Sequence, residues 1–127
     1  MRYLSGVQNH HNLRIWQRSM VLARIAYDAT DPFPDSELYG LRSQIRRAAV
    51  SVPSNIAEGS GRGSDKEFLR FLRIAYGSAC EVETQAILAR DVGVGEPAAM
   101  NRLQNEVNEV RRMINTTIQR IHRDLPG

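Results

Sequence analysis

The sequence predicts an all-α protein folded as an antiparallel, up-down-up-down four-helix bundle. Four segments of comparable length repeat apolar residues at spacings of three and four, which places those residues on one stripe of a helix. The connections between the segments are short, and none shows the alternation typical of a β-strand. Four such helices bury their stripes most simply as an up-down bundle.

The first helix is predicted between Leu13 and Thr30. It stops before Asp31-Pro32-Phe33-Pro34, because proline lacks the amide donor and disfavours helical geometry in the preceding residue. Its buried stripe is predicted to consist of Leu13, Trp16, Met20, Ala23 and Tyr27.

The second helix is predicted to begin after Ser36, a residue type that caps helix starts. Gly59 supplies its C-terminal stop. Its stripe is predicted to consist of Leu38, Leu41, Ile45, Ala48, Val52 and Ile56.

The third and fourth helices carry the clearest start signals. Ser64 and Glu67 have the spacing of a capping box, and Pro97 suits the first turn of a helix. The third helix is predicted to end at Gly93 and Gly95. Its stripe is Phe68, Leu72, Ala75, Ala79, Val82, Ala86 and Ala89, widened by Phe71, Ile74 and Leu88. The stripe of the fourth helix is Met100, Leu103, Val107, Val110, Ile114, Thr117 and Ile121.

The composition fits one domain. The 127 residues are 42% hydrophobic and 24% charged, enough to bury a core without disulfides or a metal. One domain is predicted over residues 13–123, with a disordered tail over 1–12 and a C-terminal tail over 124–127. The single cysteine, Cys80, falls in an apolar helical pattern and is interpreted as a core residue. No segment resembles a signal peptide or a membrane span, so a cytoplasmic protein is predicted.

The basic residues provide the strongest functional signal. The formal charge is +3, and Lys66 is the only lysine among 17 basic residues. Arginine presents a planar fork of donors that suits phosphate and carboxylate groups. The candidate phosphate contacts, grouped on faces of the first three helices and the turn between the second and third, are Arg14, Arg18, Arg42, Arg46, Arg47, Arg62, Lys66, Arg70 and Arg73.

Two interpretations of these arginines remain open. They could line a nucleic-acid backbone, or they could pair with Glu37, Asp65, Glu67 and the acidic residues of the fourth helix as a solvated surface. The aromatic residues Trp16, Phe68 and Phe71 fit core positions. Any recognition is therefore expected to depend on backbone shape and charge, with little sequence selectivity.

A set of polar residues on the second and third helices has two interpretations. One is a catalytic carboxylate pair, and the other is a hydrogen-bonded network that fixes the register of the helices or a subunit contact. The structural interpretation is favoured because no histidine or nucleophile joins the set. Its members are Ser51, Asn55, Glu58, Ser78, Glu81 and Gln85.

Other candidate sites are weak. The turn from Gly59 to Ser64 lacks the glycine spacing and the lysine of a nucleotide-binding loop; it is either a connector or an anion site at the helix start. His10, His11 and His122 do not have the spacing of a metal site. No cofactor or metal is predicted.

Several segments carry a family resemblance. The segments SVPSNIAEG and AYGSACEVETQ, with LRIWQRSMVLARIAYDAT and FPDSELYGLRSQ, resemble the four-helix-bundle family found in intervening sequences of 23S ribosomal RNA genes. A sister branch accompanies the reverse transcriptases of diversity-generating retroelements. The resemblance extends from Leu13 to about Val94. It implies a ring of five bundles, and for the retroelement branch a basic surface that binds nucleic acid and the reverse transcriptase. This chain shows no extra basic tail, which argues against a reverse-transcriptase partner.

The favoured functional hypothesis is a non-enzymatic homo-oligomer, a pentamer by the resemblance. It would bind RNA or DNA through its arginine-rich surface and act as a scaffold or chaperone. The alternative is a protein-binding module whose arginines meet an acidic protein partner. An enzyme ranks third, because the sequence shows neither metal ligands nor a nucleophile with its base.

Overall fold

The computed structural model describes residues 9–37 and 40–125. This part of the chain contains no strand. Two short 3-10 turns, His10–Asn12 and Asp35–Glu37, precede the first and second helices. The four helices are α1 (Arg14–Thr30), α2 (Leu41–Ser60), α3 (Asp65–Asp91) and α4 (Pro97–Asp124). The all-α prediction is confirmed.

The helices close into a bundle with one core. α1 packs against α2 and α4, and α3 packs against the same two helices. Each connection is short, so consecutive helices run in opposite directions, as the sequence predicts. One end of the bundle therefore holds the start of α1, the turn between α2 and α3, and the end of α4.

The core prediction is confirmed for α3 and α4. All seven main-stripe positions of each helix are buried, from Phe68 to Ala89 and from Met100 to Ile121. In α2 the predicted residues from Ile45 to Ile56 are buried and Leu41 is half-buried, whereas Leu38 lies outside the described residues. These stripes were predictable because each helix carries a single apolar face.

The predicted stripe of α1 is wrong at three of its five positions, whereas Leu13 and Ala23 are buried as predicted. Tyr27 is 45% exposed, and Trp16 and Met20 are only half-buried. The residues of α1 that are buried are Ile15, Ser19, Leu22, Ala23, Ala26 and Thr30. The Ser19 hydroxyl donates to the carbonyl of Trp16 at 2.9 Å, and the Thr30 hydroxyl donates to that of Ala26 at 2.8 Å. Because these hydroxyls are satisfied within their own helix, polar residues can occupy the core face.

The start of α2 also differs from the prediction. Ser36 lies in the 3-10 turn, and α2 begins at Leu41 with Gly40 as its N-cap residue. The Glu37 carboxylate accepts a hydrogen bond from the Leu41 amide at 3.0 Å. Glu37 therefore supplies the capping acceptor that was assigned to Ser36.

The starts of α3 and α4 agree with the sequence. The Ser64 hydroxyl accepts from the Glu67 amide at 3.1 Å, and Pro97 is the first residue of α4. The second half of the capping box is absent, because the Glu67 carboxylate bonds to Arg70 at 3.0 Å. This hydrogen bond lowers the pKa of Glu67.

The predicted N-terminal tail ends in a turn. His10–Asn12 form a 3-10 turn, and the rings of His10 and His11 lie 5.0 and 4.8 Å from that of Trp16. Residues 1–8 of the predicted tail lie outside the described residues, as do Pro126 and Gly127. No described helix combines the length and apolar character needed to cross a membrane.

Two helical glycines differ in the space around them, and this difference predicts opposite effects. A Cβ on Gly59 would lie 2.6 Å from the Phe71 Cβ and 3.1 Å from the Phe68 ring, whereas a Cβ on Gly77 would meet nothing within 4 Å. We expect Gly59→Ala to lower the free energy of unfolding by about 1–3 kcal/mol, because α2 and α3 must separate. Gly77→Ala is the matched control and should raise it by up to about 1 kcal/mol. Denaturant unfolding measures both; a stabilised Gly59→Ala variant would show that α2 and α3 can separate without cost.

Candidate nucleic-acid interface

Arg42 and Arg46 hold the C-terminal end of α1. Arg42 donates from Nε to the carbonyl of Thr30 at 3.2 Å, and from Nη2 to those of Asp31 and Phe33 at 3.0 and 2.7 Å. Carbonyls at a helix C-terminus have no partner within the helix, and a cation there also meets the negative end of the helix dipole.

Arg46 makes four further contacts with the same helix end, one of them an ion pair with Asp31 at 3.8 Å. Its Nε donates to the Thr30 hydroxyl at 2.9 Å, and its Nη2 donates to the Tyr27 carbonyl at 3.2 Å. Its guanidinium group stacks on the Tyr27 ring, 4.4 Å from the centroid. Arg42 and Arg46 were predicted to contact phosphate, but five hydrogen bonds hold them against the end of α1.

Arg14 and Arg18 lie on the side of α1 that faces α4. Arg18 forms a bidentate pair with Glu106, at 2.6 and 3.2 Å, and this hydrogen bonding raises the pKa of Arg18. Arg14 is exposed and makes no hydrogen bond or ion pair within residues 9–37 and 40–125. Arg18 therefore ties α1 to α4, while Arg14 is available to a ligand.

Arg62 and Arg70 cover the ring of Phe71. Their guanidinium carbons lie 4.9 and 4.5 Å from the ring centroid. Arg62 pairs with Glu58 at 2.6 Å, and Arg70 pairs with Glu67. All four charged side chains are largely exposed, so these pairs are weak and salt-sensitive. Phe71 is buried, and the side chains that cover its ring, Arg62 and Arg70, belong to this chain and not to a second subunit.

Besides Arg14, three of the predicted contacts have no partner in the described part of the chain. Arg47, Lys66 and Arg73 are exposed and make neither a hydrogen bond nor an ion pair there. Lys66 and Arg73 lie on the outer face of α3 near its start, whereas Arg47 lies near the start of α2. The antiparallel topology therefore places Arg47 toward the opposite end of the bundle from the other two.

The charges segregate between the two ends of the bundle. We define the basic half as residues 9–21, 51–77 and 111–125, and the acidic half as residues 22–37, 40–50 and 78–110. The basic half carries ten arginine and lysine residues against four aspartate and glutamate residues. The acidic half carries six against ten. The two halves together carry +2, and Arg2 brings the chain to its formal +3; this modest total hides a net +6 in one half and a net −4 in the other.

The basic half includes residues that the sequence analysis did not select. Arg111, Arg112, Arg120 and Arg123 lie in the second half of α4, beside the starts of α1 and α3. The α4 sequence signals only an amphipathic helix, with acidic and basic residues spread along it. These four arginines form a cluster with the other basic residues only in the folded bundle, where the second half of α4 lies beside the starts of α1 and α3.

Three of the six residues in the predicted polar set form hydrogen bonds with one another. The hydroxyls of Ser51 and Ser78 lie 2.9 Å apart and link α2 to α3. The Asn55 amide donates to the Ser51 carbonyl and hydroxyl at 2.8 and 2.9 Å. Glu58 lies outside this cluster, since it pairs with Arg62.

Glu81 and Gln85 line an open groove between α2 and α3, together with Arg47. Glu81 makes no hydrogen bond or ion pair with any described residue, and the buried Oε1 atom of Gln85 accepts none. The charged groups of this groove, Arg47 and Glu81, therefore have no ion-pair partner among the described residues.

The remaining candidates form no site. Cys80 is half-buried between α3 and α4, not in the core, and lies 3.7 Å from the Arg111 guanidinium, which also pairs with Glu83 at 3.0 Å. The hydrogen bond with Cys80 raises the pKa of Arg111. Within the described ranges, no group of three or more His, Cys, Asp or Glu side chains is placed to hold a metal ion.

The fold and the charges define a small four-helix bundle with one basic and one acidic end. The chain belongs to the family described as 23S rRNA-intervening sequence protein, whose model matches residues 11–116. The crystal structure, at 1.70 Å resolution, of a protein of unknown function from the S23 ribosomal protein family of Bacteroides thetaiotaomicron is similar, with a TM-score of 0.72 and 22% identity. The match covers 82% of this chain and 97% of that one, and shows the shared fold. No curated protein matches.

Proposed function

We propose that this chain is a non-enzymatic, cytoplasmic homo-oligomer that binds the backbone of RNA or DNA through its basic half, as a scaffold or chaperone for structured nucleic acid. The observation that carries the proposal is the segregation of charge, net +6 in the basic half. A local excess of positive charge attracts a polyanion more effectively than the same charge spread evenly.

Accessible cations supply the contacts. Arg14, Lys66, Arg73 and Arg123 are exposed in the basic half and make no ion pair within the described residues. A phosphate can bind these groups without breaking a contact of the fold. Arg62 and Arg70 can join them, because their pairs are exposed and salt-sensitive.

The proposed binding has little sequence selectivity. Base stacking on a surface requires exposed aromatic rings, whereas Phe68 and Phe71 are buried and Trp16 is half-buried beneath two histidines. The exposed ring of Tyr27 lies in the acidic half and is occupied by Arg46. Contacts to phosphate dominate such an interface, so its affinity should fall steeply with salt.

The outer face of α2 and α3 supports self-association. Ile74 and Leu88 are 42 and 48% exposed on α3. The open groove between α2 and α3 is part of the same face, and its Arg47 and Glu81 have no ion-pair partner in the described chain. A second copy could supply opposite charges for both. A pentamer follows from the family resemblance, and five copies multiply every phosphate contact.

Light scattering of the purified protein, with and without short duplex RNA and DNA at low and moderate salt, tests both self-association and nucleic-acid binding. We expect a particle several times the chain mass of 14.3 kDa that gains mass with nucleic acid and loses that gain as salt rises. A particle whose mass does not change when either nucleic acid is added would contradict the proposed binding. An acidic protein partner would then be sought by pull-down after nuclease treatment.

A variant pair tests the proposed subunit contact. Ile74→Asp is expected to lower the scattering mass toward 14.3 kDa, because a carboxylate would enter an apolar contact and lose its hydration. Val21→Asp is the matched control, since Val21 is 36% exposed on α1, away from this face. It should keep the wild-type mass. Equal masses for both variants and the wild type would exclude Ile74 from the contact.

A further inference from the structure

An open groove of about 500 Å³ lies between α1 and α4, mostly in the basic half. Four arginines line it, Arg14 and Arg18 from α1 and Arg112 and Arg120 from α4, against two carboxylates, that of Glu109 in the lining and that of Glu106 paired with Arg18. The groove is therefore cationic, and its volume falls within the range of small-ligand sites, about 300–1,000 Å³.

The four arginines differ in their freedom to bind an anion. Arg14 makes no hydrogen bond or ion pair with any described residue. Arg112 pairs with Glu109 at 2.8 Å, but its side chain is 73% exposed, so this pair exchanges readily with another anion. Arg18 is fixed by the bidentate contact with Glu106, which compensates its charge. Arg14 and Arg112 are therefore the lining arginines that are most available to a phosphate.

The rest of the groove is less polar. Leu13, Ile15 and Met113 line it, and the hydroxyls of Thr116 and Thr117 lie beside them. Each hydroxyl donates to a carbonyl of its own helix, at 3.0 and 3.1 Å, so its oxygen remains able to accept a hydrogen bond. An apolar wall with a few acceptors suits the face and edge of a nucleobase.

We infer that the α1/α4 groove binds one unpaired nucleotide of an RNA or DNA strand, with its phosphate on Arg14 and Arg112 and its base against Leu13, Ile15 and Met113. This inference rests on the proposed function and names its substrate class: nucleic acid with an unpaired nucleotide at a loop, a bulge or an end. A base held in a duplex is stacked and paired, so it cannot enter the groove unless it is extruded.

The test is a calorimetric titration of the full chain with uridine 5′-monophosphate, uridine and inorganic phosphate. We expect the monophosphate to bind at least 10-fold more tightly than either fragment, because the groove contacts both parts. Arg14→Gln with Arg112→Gln should weaken the monophosphate at least 10-fold. The matched control is Arg24→Gln with Arg102→Gln, which removes two exposed arginines from the acidic half and should change nothing.

The outcomes separate this inference from the proposed function. Equal affinities for monophosphate and inorganic phosphate would overturn the base contact, and equal effects of the two double variants would overturn the site. Duplex RNA titrated into the same proteins tests the broader proposal. If the protein binds duplex RNA but not the monophosphate, the nucleotide site in the groove is rejected and the proposed function stands. If it binds the monophosphate but not duplex RNA, the nucleotide site stands and duplex binding by the basic half is rejected.

Discussion

Replacing Lys66, Arg73 and Arg123 with glutamine is expected to weaken binding of duplex RNA roughly 100-fold at low salt. All three are exposed in the basic half and make no ion pair within residues 9–37 and 40–125, so their charge is available to phosphate. A charge-assisted hydrogen bond contributes about 1.5–3 kcal/mol, and exposure reduces this to about 1 kcal/mol for each side chain. Fluorescence anisotropy across a salt series measures the effect.

The acidic half offers a control matched in charge. Arg24, Arg47 and Arg102 are also exposed and make no ion pair with a described residue. Their replacement by glutamine changes the net charge equally. If the basic half is the interface, the first variant should reduce the slope of log affinity against log salt concentration by about one unit per lost contact. The control variant should keep the wild-type slope. Equal losses would mean that net charge, and not its location, governs binding.

The double variant Arg42→Ala with Arg46→Ala is expected to lower the free energy of unfolding by about 3 kcal/mol. It removes five hydrogen bonds to the end of α1, four to carbonyls and one to the Thr30 hydroxyl. Hydrogen bonds from charged donors contribute more to stability than those from neutral donors. In the variant, water can bind the exposed carbonyls and so offset part of the lost free energy. Cation–π contact with Tyr27 is lost as well. Denaturant unfolding measures the change.

Arg47→Ala is the control for this variant, because Arg47 is a neighbouring exposed arginine of α2 with no hydrogen bond in the described chain. Its effect should lie within about 0.5 kcal/mol. RNA affinity, measured where the double variant is fully folded, should stay at the wild-type value. A stable double variant with weakened RNA binding would instead return Arg42 and Arg46 to the nucleic-acid interface.

The sequence predicted most of the fold because the signals concerned are local. Helix stripes depend on residue spacing, and caps depend on a few neighbouring residues. Ser64 and Pro97 therefore begin their helices as predicted. α1 was the exception, since apolar residues occupy two adjacent faces and the core selected the face with Ser19 and Thr30. Spacing could not reveal that these hydroxyls are satisfied by carbonyls of their own helix.

The candidate site depended on contacts between distant parts of the chain. Arg42 and Arg73 have the same side chain, yet one is bound to the end of α1 and the other is exposed. No sequence pattern near either residue distinguishes them. The polar network likewise required α2 and α3 to place Ser51 beside Ser78.

The sequence by itself determined the four helices, three of the four buried stripes and the excess of arginine, because these properties belong to single segments. Only the tertiary structure decided which arginines are free and where their charge accumulates. Antiparallel packing brings the start of α1, the turn between α2 and α3, and the end of α4 to one end of the bundle. Residues about 100 positions apart thereby form one basic surface, since electrostatic interactions depend on distance in space and not on separation along the chain.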